Sequence, residues 1–324
     1  MKAALCKTLD GPAALVVEDI PTPKPGAGEV LVRVRAAGLN FFDTLITRGK
    51  YQYKPALPFS PAGEMAGEVA AVGDGVATFK PGDRVCAYLG WGCAREFVTA
   101  KAEQLVRVPD GVSDVQAAGV NVTYGTGMHG LKDRGRLTAG EWVAVLGAAG
   151  GAGLAAVELA KLMGARVIAV ASSADKLALC RQHGADETIN YTSADLKQAL
   201  RDLTAGRGAD IVYDCVGGPH AEAALRSTAW EGRYLVIGFA AGEIPKLPAN
   251  LLLLRGCDAV GVFWGEAVSR APARHVANMS EVLDWVGRGR LRPHIHAELP
   301  LGRIGEAIAL LDRREVTGKV IVTL

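Results

Sequence analysis

The first third of the chain alternates apolar and polar residues over lengths typical of strands. Glu29 to Ala36 reads EVLVRVRA, the period-two pattern of a strand with one buried face. Short apolar runs follow at residues 67–72 and 84–87, next to glycine-containing turns. Many short strands separated by such turns favour an antiparallel, barrel-like unit over residues 1 to about 110.

The hydrophobic pattern changes at about residue 113, where segments of strand length and of helix length begin to alternate. Trp142 to Gly147 is an apolar run of strand length, residues 154–163 have helical spacing, and residues 166–171 resemble a buried strand. The alternation continues with predicted helices at 176–183, 194–204 and 220–229, and predicted strands at 188–189, 210–214 and 233–237. Repeated βα units predict a parallel, doubly wound sheet. The tail adds predicted helices at 279–287 and 304–311 and a final strand at 318–324.

Composition and charge exclude several classes of protein. The 324 residues are 49% hydrophobic and 22% charged, with a formal net charge of +2 and no clustering of Lys and Arg, which argues against a nucleic-acid partner. No apolar run approaches the roughly 20 residues needed to span a bilayer, and the first residues turn polar too soon for a signal peptide. The six cysteines are widely spaced, which favours reduced thiols in the cytoplasm over a disulfide framework.

A glycine-rich turn follows the first strand of the predicted parallel sheet. It reads Gly-Ala-Ala-Gly-Gly-Ala-Gly over residues 147–153, and matches the dinucleotide-binding pattern except that Ala148 replaces its first glycine. Glycines allow a pyrophosphate to approach the backbone, and the start of the next helix supplies free N–H groups. A tight turn without a ligand is the alternative, but four glycines in seven residues cost backbone entropy that turning alone would not require.

The residues after the second strand indicate the cofactor. NAD-dependent enzymes place Asp or Glu there to bind the ribose 2′-hydroxyl, whereas this strand ends in Ala171, Ser172 and Ser173, with Lys176 shortly after. Hydroxyls and a lysine suit the 2′-phosphate of NADPH. The alternatives are that Ser173 caps a helix, that Lys176 is solvated, and that Asp175 turns inward to bind NADH.

Further segments, in this order, make the chain resemble the quinone oxidoreductases of the medium-chain dehydrogenase/reductase superfamily over nearly its full length. They include AGLNFFD at 37–43, PGDRV at 81–85, AGGAG at 149–153, DCVGG at 214–218 and GVFWG at 261–265. The resemblance implies a GroES-like β-rich catalytic domain over residues 1–118 and a Rossmann domain over 119–257. Residues 258–324 would then complete the Rossmann edge and return to the catalytic domain.

The resemblance also implies roles for individual residues. Gly150, Gly151 and Gly153 would face the pyrophosphate, and Ser172, Ser173, Lys176 and Tyr191 would surround the 2′-phosphate. Asn40, Thr123, Gly238, Phe239, Phe263 and Trp264 would lie at the nicotinamide end, and Tyr51 would lie near the substrate as the candidate catalytic donor. Phe239 and Phe263 could instead be core aromatics, and Asn40 a turn former.

Departures from the zinc-dependent members of the superfamily predict that no metal is bound. Asn40 and Gly63 stand where those members carry a zinc-binding Cys and His, and only Cys86 and Cys93 lie near the position of the structural zinc lobe. His294 and His296 would point the same way from a strand, but without a third ligand nearby a surface pair is the favoured interpretation.

The sequence therefore predicts a zinc-independent transfer of hydride from NADPH to a small-molecule acceptor, a quinone or an activated alkene. An enoyl-thioester or enone reductase on the same scaffold is one alternative, and a non-catalytic NADPH-binding protein is another. The strand-like run 258–263 is expected at the edge of the sheet, where an unpaired strand would favour a homodimer.

Overall fold

The chain folds into two compact units. The computed structural model describes residues 1–324; unit 1 consists of Met1–Val122 and Ala267–Leu324, and unit 2 of Thr123–Glu266. The sequence places the divisions slightly earlier, after residues 118 and 257. No helix is both long enough and apolar enough to cross a membrane.

The N-terminal part of unit 1 is mainly β-structure. Its elements are β1 (Lys2–Leu5), β2 (Val16–Asp19), β3 (Glu29–Leu39), α1 (Phe41–Ile46), β4 (Glu64–Val72), β5 (Arg84–Tyr88), β6 (Phe97–Lys101), β7 (Val106–Arg107) and α2 (Asp114–Ala118). In β3 the side chains of Val30, Val32 and Val34 are buried while those of Arg33 and Arg35 are exposed, as the alternating sequence predicts. The strand extends to Leu39, beyond the predicted end at Ala36.

Unit 2 contains a parallel sheet with alternating helices. The elements are α3 (Asn121–Met128), a π-helical turn (His129–Arg134), β8 (Trp142–Leu146), α4 (Gly151–Leu162), β9 (Arg166–Ala171), α5 (Ala174–Gln182), β10 (Glu187–Asn190), α6 (Leu196–Leu203), β11 (Ala209–Asp214), α7 (Ala221–Leu225), β12 (Thr228–Val236), α8 (Ala249–Arg255), β13 (Asp258–Gly261) and α9 (Trp264–Arg270). The first two residues of α3 and the last four of α9 belong to unit 1. The strand order is β10-β9-β8-β11-β12-β13 with every pair parallel. This order is the doubly wound arrangement whose ligands bind at the carboxyl ends of the strands.

One predicted helix in unit 2 is too long. Residues 220–229 are predicted as helix, but α7 ends at Leu225 and β12 begins at Thr228, which pairs with Ala209 of β11. The first part of β12 is irregular, with a register shift and a positive φ of 59° at Glu231. Strand pairing therefore overrides the helical preference of this stretch.

The C-terminal segment from Ala267 belongs to unit 1. Its elements are α10 (Pro272–Gly287), β14 (Ile295–Pro300), α11 (Ile304–Asp312) and β15 (Lys319–Thr323). β15 pairs antiparallel with β3, so that the sheet has the order β14-β15-β3-β4-β5-β7, and β6 also pairs with β3. Helix α10 begins earlier than predicted, because Pro272 occupies a first-turn position where proline is well tolerated.

Each unit has its own hydrophobic core. In unit 1 the core gathers side chains from β3, β4, β15 and α11, including Val32, Met65, Val320 and Ile308. In unit 2 it gathers side chains from the parallel strands and their helices, including Ile168, Val212 and Leu200. These cores hold the strand ends and turns that carry the candidate site residues.

Candidate functional site

The glycine-rich turn joins the carboxyl end of β8 to α4. Gly147 has a φ of +72°, and a Cβ on Gly153 would lie 2.2 Å from the Gly147 carbonyl oxygen. The turn itself therefore requires both of these glycines. Gly150 differs, because a Cβ there would meet only the same carbonyl oxygen, at 3.4 Å.

Gly150 is also the N-cap of α4, and no side chain caps this helix. The N–H groups of the first turn and the positive end of the helix dipole form a suitable anion site. Gly150 and Gly151 are partly exposed there, whereas Gly153 is buried. The sequence predicts that all three face a pyrophosphate, but packing against the turn already explains Gly153.

The predicted 2′-phosphate residues meet at the carboxyl edge of β9 and β10. Ser172 and Ser173 directly follow β9, and the N–H of Tyr191, directly after β10, donates to the Ala171 carbonyl at 3.2 Å. The Ser173 hydroxyl accepts a hydrogen bond from the Lys176 backbone N–H at 3.4 Å. The helix-capping role considered for Ser173 is therefore present, and it does not prevent the hydroxyl from also donating to a phosphate.

The charges at this edge suit a phosphate better than a free ribose hydroxyl. No carboxylate follows β9 directly, at the position where NAD-dependent enzymes carry one. Asp175 lies in the first turn of α5 and is exposed, while Lys176 is partly buried. The residues present thus fit the adenosine phosphates of NADPH.

A shallow hollow lies at the same edge of the sheet. It is lined by Leu146, Gly147, Val170, Tyr191, Val216 and His220. The Tyr191 and His220 rings are 4.5 Å apart, centroid to centroid, with an interplanar angle of 45°. The Asp214 carboxylate shapes the loop after β11 by accepting the N–H groups of Val216 and Gly217, at 2.8 and 2.9 Å.

Val216 and His220 are absent from the sequence-based set of site residues. Both follow β11, which lies beside β8 in the sheet, so that their loop meets the glycine-rich turn. The strand order is the signal that could have identified them, because loops at the carboxyl ends of adjacent strands lie side by side.

The residues of unit 2 that are predicted at the nicotinamide end differ from one another in burial and in their contacts. Gly238 follows β12, and its N–H donates to the Asp214 carbonyl at 3.2 Å. Phe239 lies against Gly217, since a Cβ on that glycine would be 3.0 Å from the ring. Thr123 is buried on α3, and Phe263 is 49% exposed, so the alternative that Phe263 is a core aromatic is wrong.

Trp264 packs inside unit 2. Its side chain is 7% exposed, and a Cβ on Gly125 of α3 would lie 2.7 Å from ring atom Cζ2. The indole therefore packs closely against the backbone of α3. Trp264 thus has a packing role in unit 2, and its predicted position along the cofactor stays a prediction.

In unit 1, Asn40 belongs to a buried cluster with Glu64 and Lys319. The Lys319 ammonium donates to Glu64 Oε1 at 2.6 Å, to Asn40 Oδ1 at 2.7 Å and to the Leu39 carbonyl at 2.7 Å. The Asn40 amide Nδ2 donates to Glu64 Oε1 at 2.8 Å. Asn40 precedes α1, but its side chain does not cap that helix. The side chain of Asn40 is therefore bound by this cluster, while its carbonyl accepts the Asp43 N–H in the first turn of α1.

Asp43 lies beside this cluster. Its carboxylate accepts the backbone N–H groups of Asn40 and Ala62, at 2.8 and 2.9 Å. Complete burial raises the pKa of Asp43 to about 7, although the two N–H donors and the nearby Lys319 oppose that shift. The carboxylate fixes the backbone on both sides of α1, which holds Asn40 in place.

The positions that bind zinc in related dehydrogenases are occupied differently here. A Cβ on Gly63 would lie 2.7 Å from Phe42 Cζ and 2.8 Å from the Gly90 carbonyl oxygen, so the space for a histidine side chain is filled. No three His, Cys, Asp or Glu side chains come together as a metal site would require. His294 and His296 flank the Thr317 hydroxyl at 3.4 and 3.3 Å, and His296 is exposed.

Tyr51 is part of a row of aromatic rings in unit 1. Its ring stacks on Phe42 with centroids 5.3 Å apart and meets Tyr53 edge-on at 5.7 Å, and Tyr53 lies 6.2 Å from Trp91. Burial, with smaller contributions from Tyr53 and Asp43, raises the pKa of Tyr51 to about 12. The phenol is therefore protonated at neutral pH and can donate a hydrogen bond.

Two family descriptions match the chain. The family described as "Alcohol dehydrogenase GroES-like domain" matches residues 26–110, and the family described as "Zinc-binding dehydrogenase" matches residues 151–286. The first match lies in unit 1, and the second lies mostly in unit 2.

Individual proteins give a finer placement. The chain is 40% identical to a quinone oxidoreductase-like protein 2 homolog of Nematostella vectensis, over 99% of this chain and 88% of that protein. A structure of Escherichia coli quinone oxidoreductase complexed with NADPH has a TM-score of 0.94 and 26% identity, covering both chains fully. The CurK enoyl reductase structure has a TM-score of 0.89 and 27% identity, covering 99% of this chain and 98% of that one. The chain therefore belongs to the quinone oxidoreductases of the medium-chain dehydrogenase/reductase superfamily.

Proposed function

We propose that the protein reduces a planar, conjugated acceptor, a quinone or an alkene conjugated to a carbonyl, using NADPH and no zinc. The observation that carries this proposal is the neutral Tyr51 phenol within a row of aromatic rings, beside a buried cluster that lacks a metal-binding set. Such a site offers hydrogen bonding and ring stacking to an acceptor.

Cofactor binding would use the carboxyl edge of the parallel sheet. The α4 N-terminus at Gly150 and Gly151 would bind the pyrophosphate, and Ser172, Lys176 and Tyr191 would bind the 2′-phosphate. The NADPH complex of the Escherichia coli protein supports this choice of cofactor. NADPH, when bound, supplies the hydride.

The chemistry asked of the protein itself is modest. Hydride addition to a quinone or enone places negative charge on the carbonyl oxygen, and conjugation spreads that charge. The Tyr51 hydroxyl could donate a hydrogen bond to this oxygen, and a proton from water would complete reduction to the hydroquinone or the saturated carbonyl compound. Alcohol oxidation would instead require removal of a hydroxyl proton, which zinc assists in related enzymes.

The row of rings favours a flat acceptor over a long aliphatic one. Phe42, Tyr51 and Tyr53 are partly exposed and Trp91 is 39% exposed, so that the row presents aromatic surface. Offset or edge-on contacts with a quinone ring are worth about 0.5–1.5 kcal/mol each beyond the buried area. An enoyl-thioester reductase remains the second candidate, favoured by the likeness to CurK enoyl reductase.

The acceptor class is tested with quinones, enones, enoyl thioesters and simple alcohols, monitoring NADPH consumption or formation. Quinones or enones should give turnover and alcohols should not. In Tyr51→Phe, which keeps the ring, we expect turnover to fall about tenfold, the effect of losing one hydrogen bond. NADPH affinity should not change. Unaltered kinetics in this variant would exclude the hydroxyl as a donor.

Zinc independence and assembly belong to the same proposal. Elemental analysis of active protein should find no stoichiometric zinc, and one tightly bound zinc per chain would contradict the proposal.

We also propose a homodimer, because β13 is an edge strand with mostly exposed residues, and Trp230, Leu253 and Leu254 expose large apolar side chains. The free cysteines suit a cytoplasmic location.

A further inference from the structure

The Asn40 amide is held in one orientation by two charged groups of opposite sign. A lysine ammonium can only donate hydrogen bonds and a carboxylate can only accept them, so Lys319 must bind Oδ1 and Glu64 must bind Nδ2. A flipped amide would place its NH2 group against the ammonium and its oxygen against the carboxylate. The charges therefore prevent the ambiguity that an asparagine side chain usually has.

The Lys319 ammonium has no hydrogen-bond donor to spare. Lys319 uses all three ammonium protons, on Glu64, Asn40 and the Leu39 carbonyl, and its side chain is 3% exposed. Its strand, β15, is fixed against β3 by the pairing of Val320 with Leu39. The ammonium thus has no role in contacting a ligand, and its effect must act through its partners.

Glu64 connects two segments that the family resemblance assigns to the nicotinamide end. Oε1 accepts from Asn40 and Lys319, and Oε2 accepts the backbone N–H of Val122 at 2.8 Å. Val122 is the residue before Thr123. One fully buried carboxylate therefore anchors both the Asn40 side chain and the backbone leading to Thr123.

The backbone of β3 leaves space for the Glu64 carboxylate at Gly38. Gly38 of β3 faces Glu64, and a Cβ there would lie 2.7 Å from Glu64 Oε1 and 2.3 Å from the Ala118 carbonyl oxygen. Any side chain at residue 38 would displace the carboxylate. The absence of a Cβ at this position thus leaves room for the cluster.

We propose that Glu64 and Lys319 are positioning residues that hold the Asn40 amide with one N–H directed to a carbonyl oxygen of the reacting pair. Glu64 takes one of the two amide N–H groups, and we assign the second to a ligand. The inference rests on the proposed hydride transfer, and it adds a donor of fixed direction to that reaction. The carbonyl belongs either to the nicotinamide carboxamide or to the acceptor.

The variant that tests this role is Glu64→Gln/Lys319→Met, which removes both charges while nearly preserving volume. Single changes would leave one of the two paired charges buried without its partner and could prevent folding, whereas the double change removes both together. Lys2→Met is the matched control, because Lys2 forms an exposed ion pair with Asp19 at 2.7 Å in the same unit.

A direct readout is NMR of the side-chain amides in protein labelled with ¹⁵N-asparagine. The chain has five asparagines, and the Asn40 signal is assigned by its loss in Asn40→Asp. In the wild type, one Asn40 amide proton should be shifted downfield by the carboxylate. NADPH alone should move the other proton if the carboxamide is the partner, and a non-reducible acceptor analogue should move it if the acceptor is. The double variant should lose both features, and Lys2→Met should keep them.

Kinetics provide the second readout. In the double variant, hydride transfer should slow about tenfold, the loss expected for one misdirected hydrogen bond. The isotope effect with deuterated NADPH should rise, and NADPH affinity should remain within a few fold. A merely structural pair would lower thermal stability without changing the isotope effect.

The two proposals can fail separately. If the Asn40 signals behave as expected but no quinone or enone is reduced, the acceptor assignment fails and the positioning role stands. If both ligands leave the Asn40 amide protons unmoved, or if the double variant keeps the wild-type spectrum and isotope effect, the positioning role is overturned.

Discussion

The glycine-rich turn separates glycines needed for folding from a glycine needed for binding, and a pair of alanine variants tests the distinction. In Gly153→Ala the new Cβ would lie 2.2 Å from the Gly147 carbonyl oxygen, which is more than 1 Å inside ordinary contact distance. Because the atom met is a backbone oxygen, relieving this clash should cost about 3 kcal/mol, the upper end of the overpacking range, and the better helix propensity of alanine returns about 1 kcal/mol. Since about 1 kcal/mol corresponds to roughly 2–4 °C in Tm for a domain of this size, Gly153→Ala should melt several degrees lower.

Gly150→Ala is the matched control, because the new Cβ would meet only one oxygen, at 3.4 Å. Its Tm should fall by no more than about 2–4 °C, because alanine is a somewhat poorer N-cap residue than glycine. NADPH affinity, measured by fluorescence titration, should nevertheless fall about tenfold or more, since the methyl group stands where the pyrophosphate approaches. Unchanged NADPH affinity in Gly150→Ala would refute the proposed phosphate site, and an unchanged Tm in Gly153→Ala would refute the close backbone contact.

Three further predictions follow from charge and exposure. Lys176→Ala should weaken NADPH binding about 10- to 100-fold while sparing NADH, and equal or tighter binding of NADH by the wild type would contradict the cofactor assignment. Burial raises the pKa of Asp43 to about 7, so the folded protein binds a proton more tightly at this carboxyl than the unfolded chain does. This contribution to stability should be lost as pH rises from about 4 to 7. Plots of Tm against pH over that range should therefore differ in slope between the wild type and Asp43→Asn. Leu253, which is 80% exposed, should lie near the contact between the two protomers of the dimer. Light scattering at micromolar concentration should show a dimer for the wild type and a weaker dimer for Leu253→Glu. A monomeric wild type would disprove the proposed homodimer.

Patterns within short stretches of the sequence predict most of the strands and helices of both units. The alternation of valine and arginine in β3 predicts a half-buried strand, and the repeated βα units predict the parallel sheet, because both patterns depend on residues close together in the chain. The predicted helix at 220–229 fails for the opposite reason. The stretch from Thr228 is recruited by pairing with β11, an interaction that no short window contains.

The site was less accessible to sequence reasoning. Glu64 and Lys319 are separated by 255 positions in sequence, so their contact depends on the return of β15 to β3, which periodicity does not reveal. Trp264 shows a second limit, because an aromatic residue in a family motif can serve packing as well as ligand binding. Ser173 shows that one side chain can do both, since a helix cap keeps its hydroxyl proton.

The most direct test of the proposed hydride transfer uses NADPH that carries deuterium at the nicotinamide carbon from which the hydride leaves, and asks where that deuterium appears in the product. The labelled cofactor is incubated with the protein and an enone, and the product is analysed by mass spectrometry and NMR. The proposed function predicts one deuterium at the carbon β to the carbonyl, with the second added hydrogen coming from water. A product without deuterium, or oxidation of ethanol or benzyl alcohol with no reduction of any quinone or enone, would contradict it.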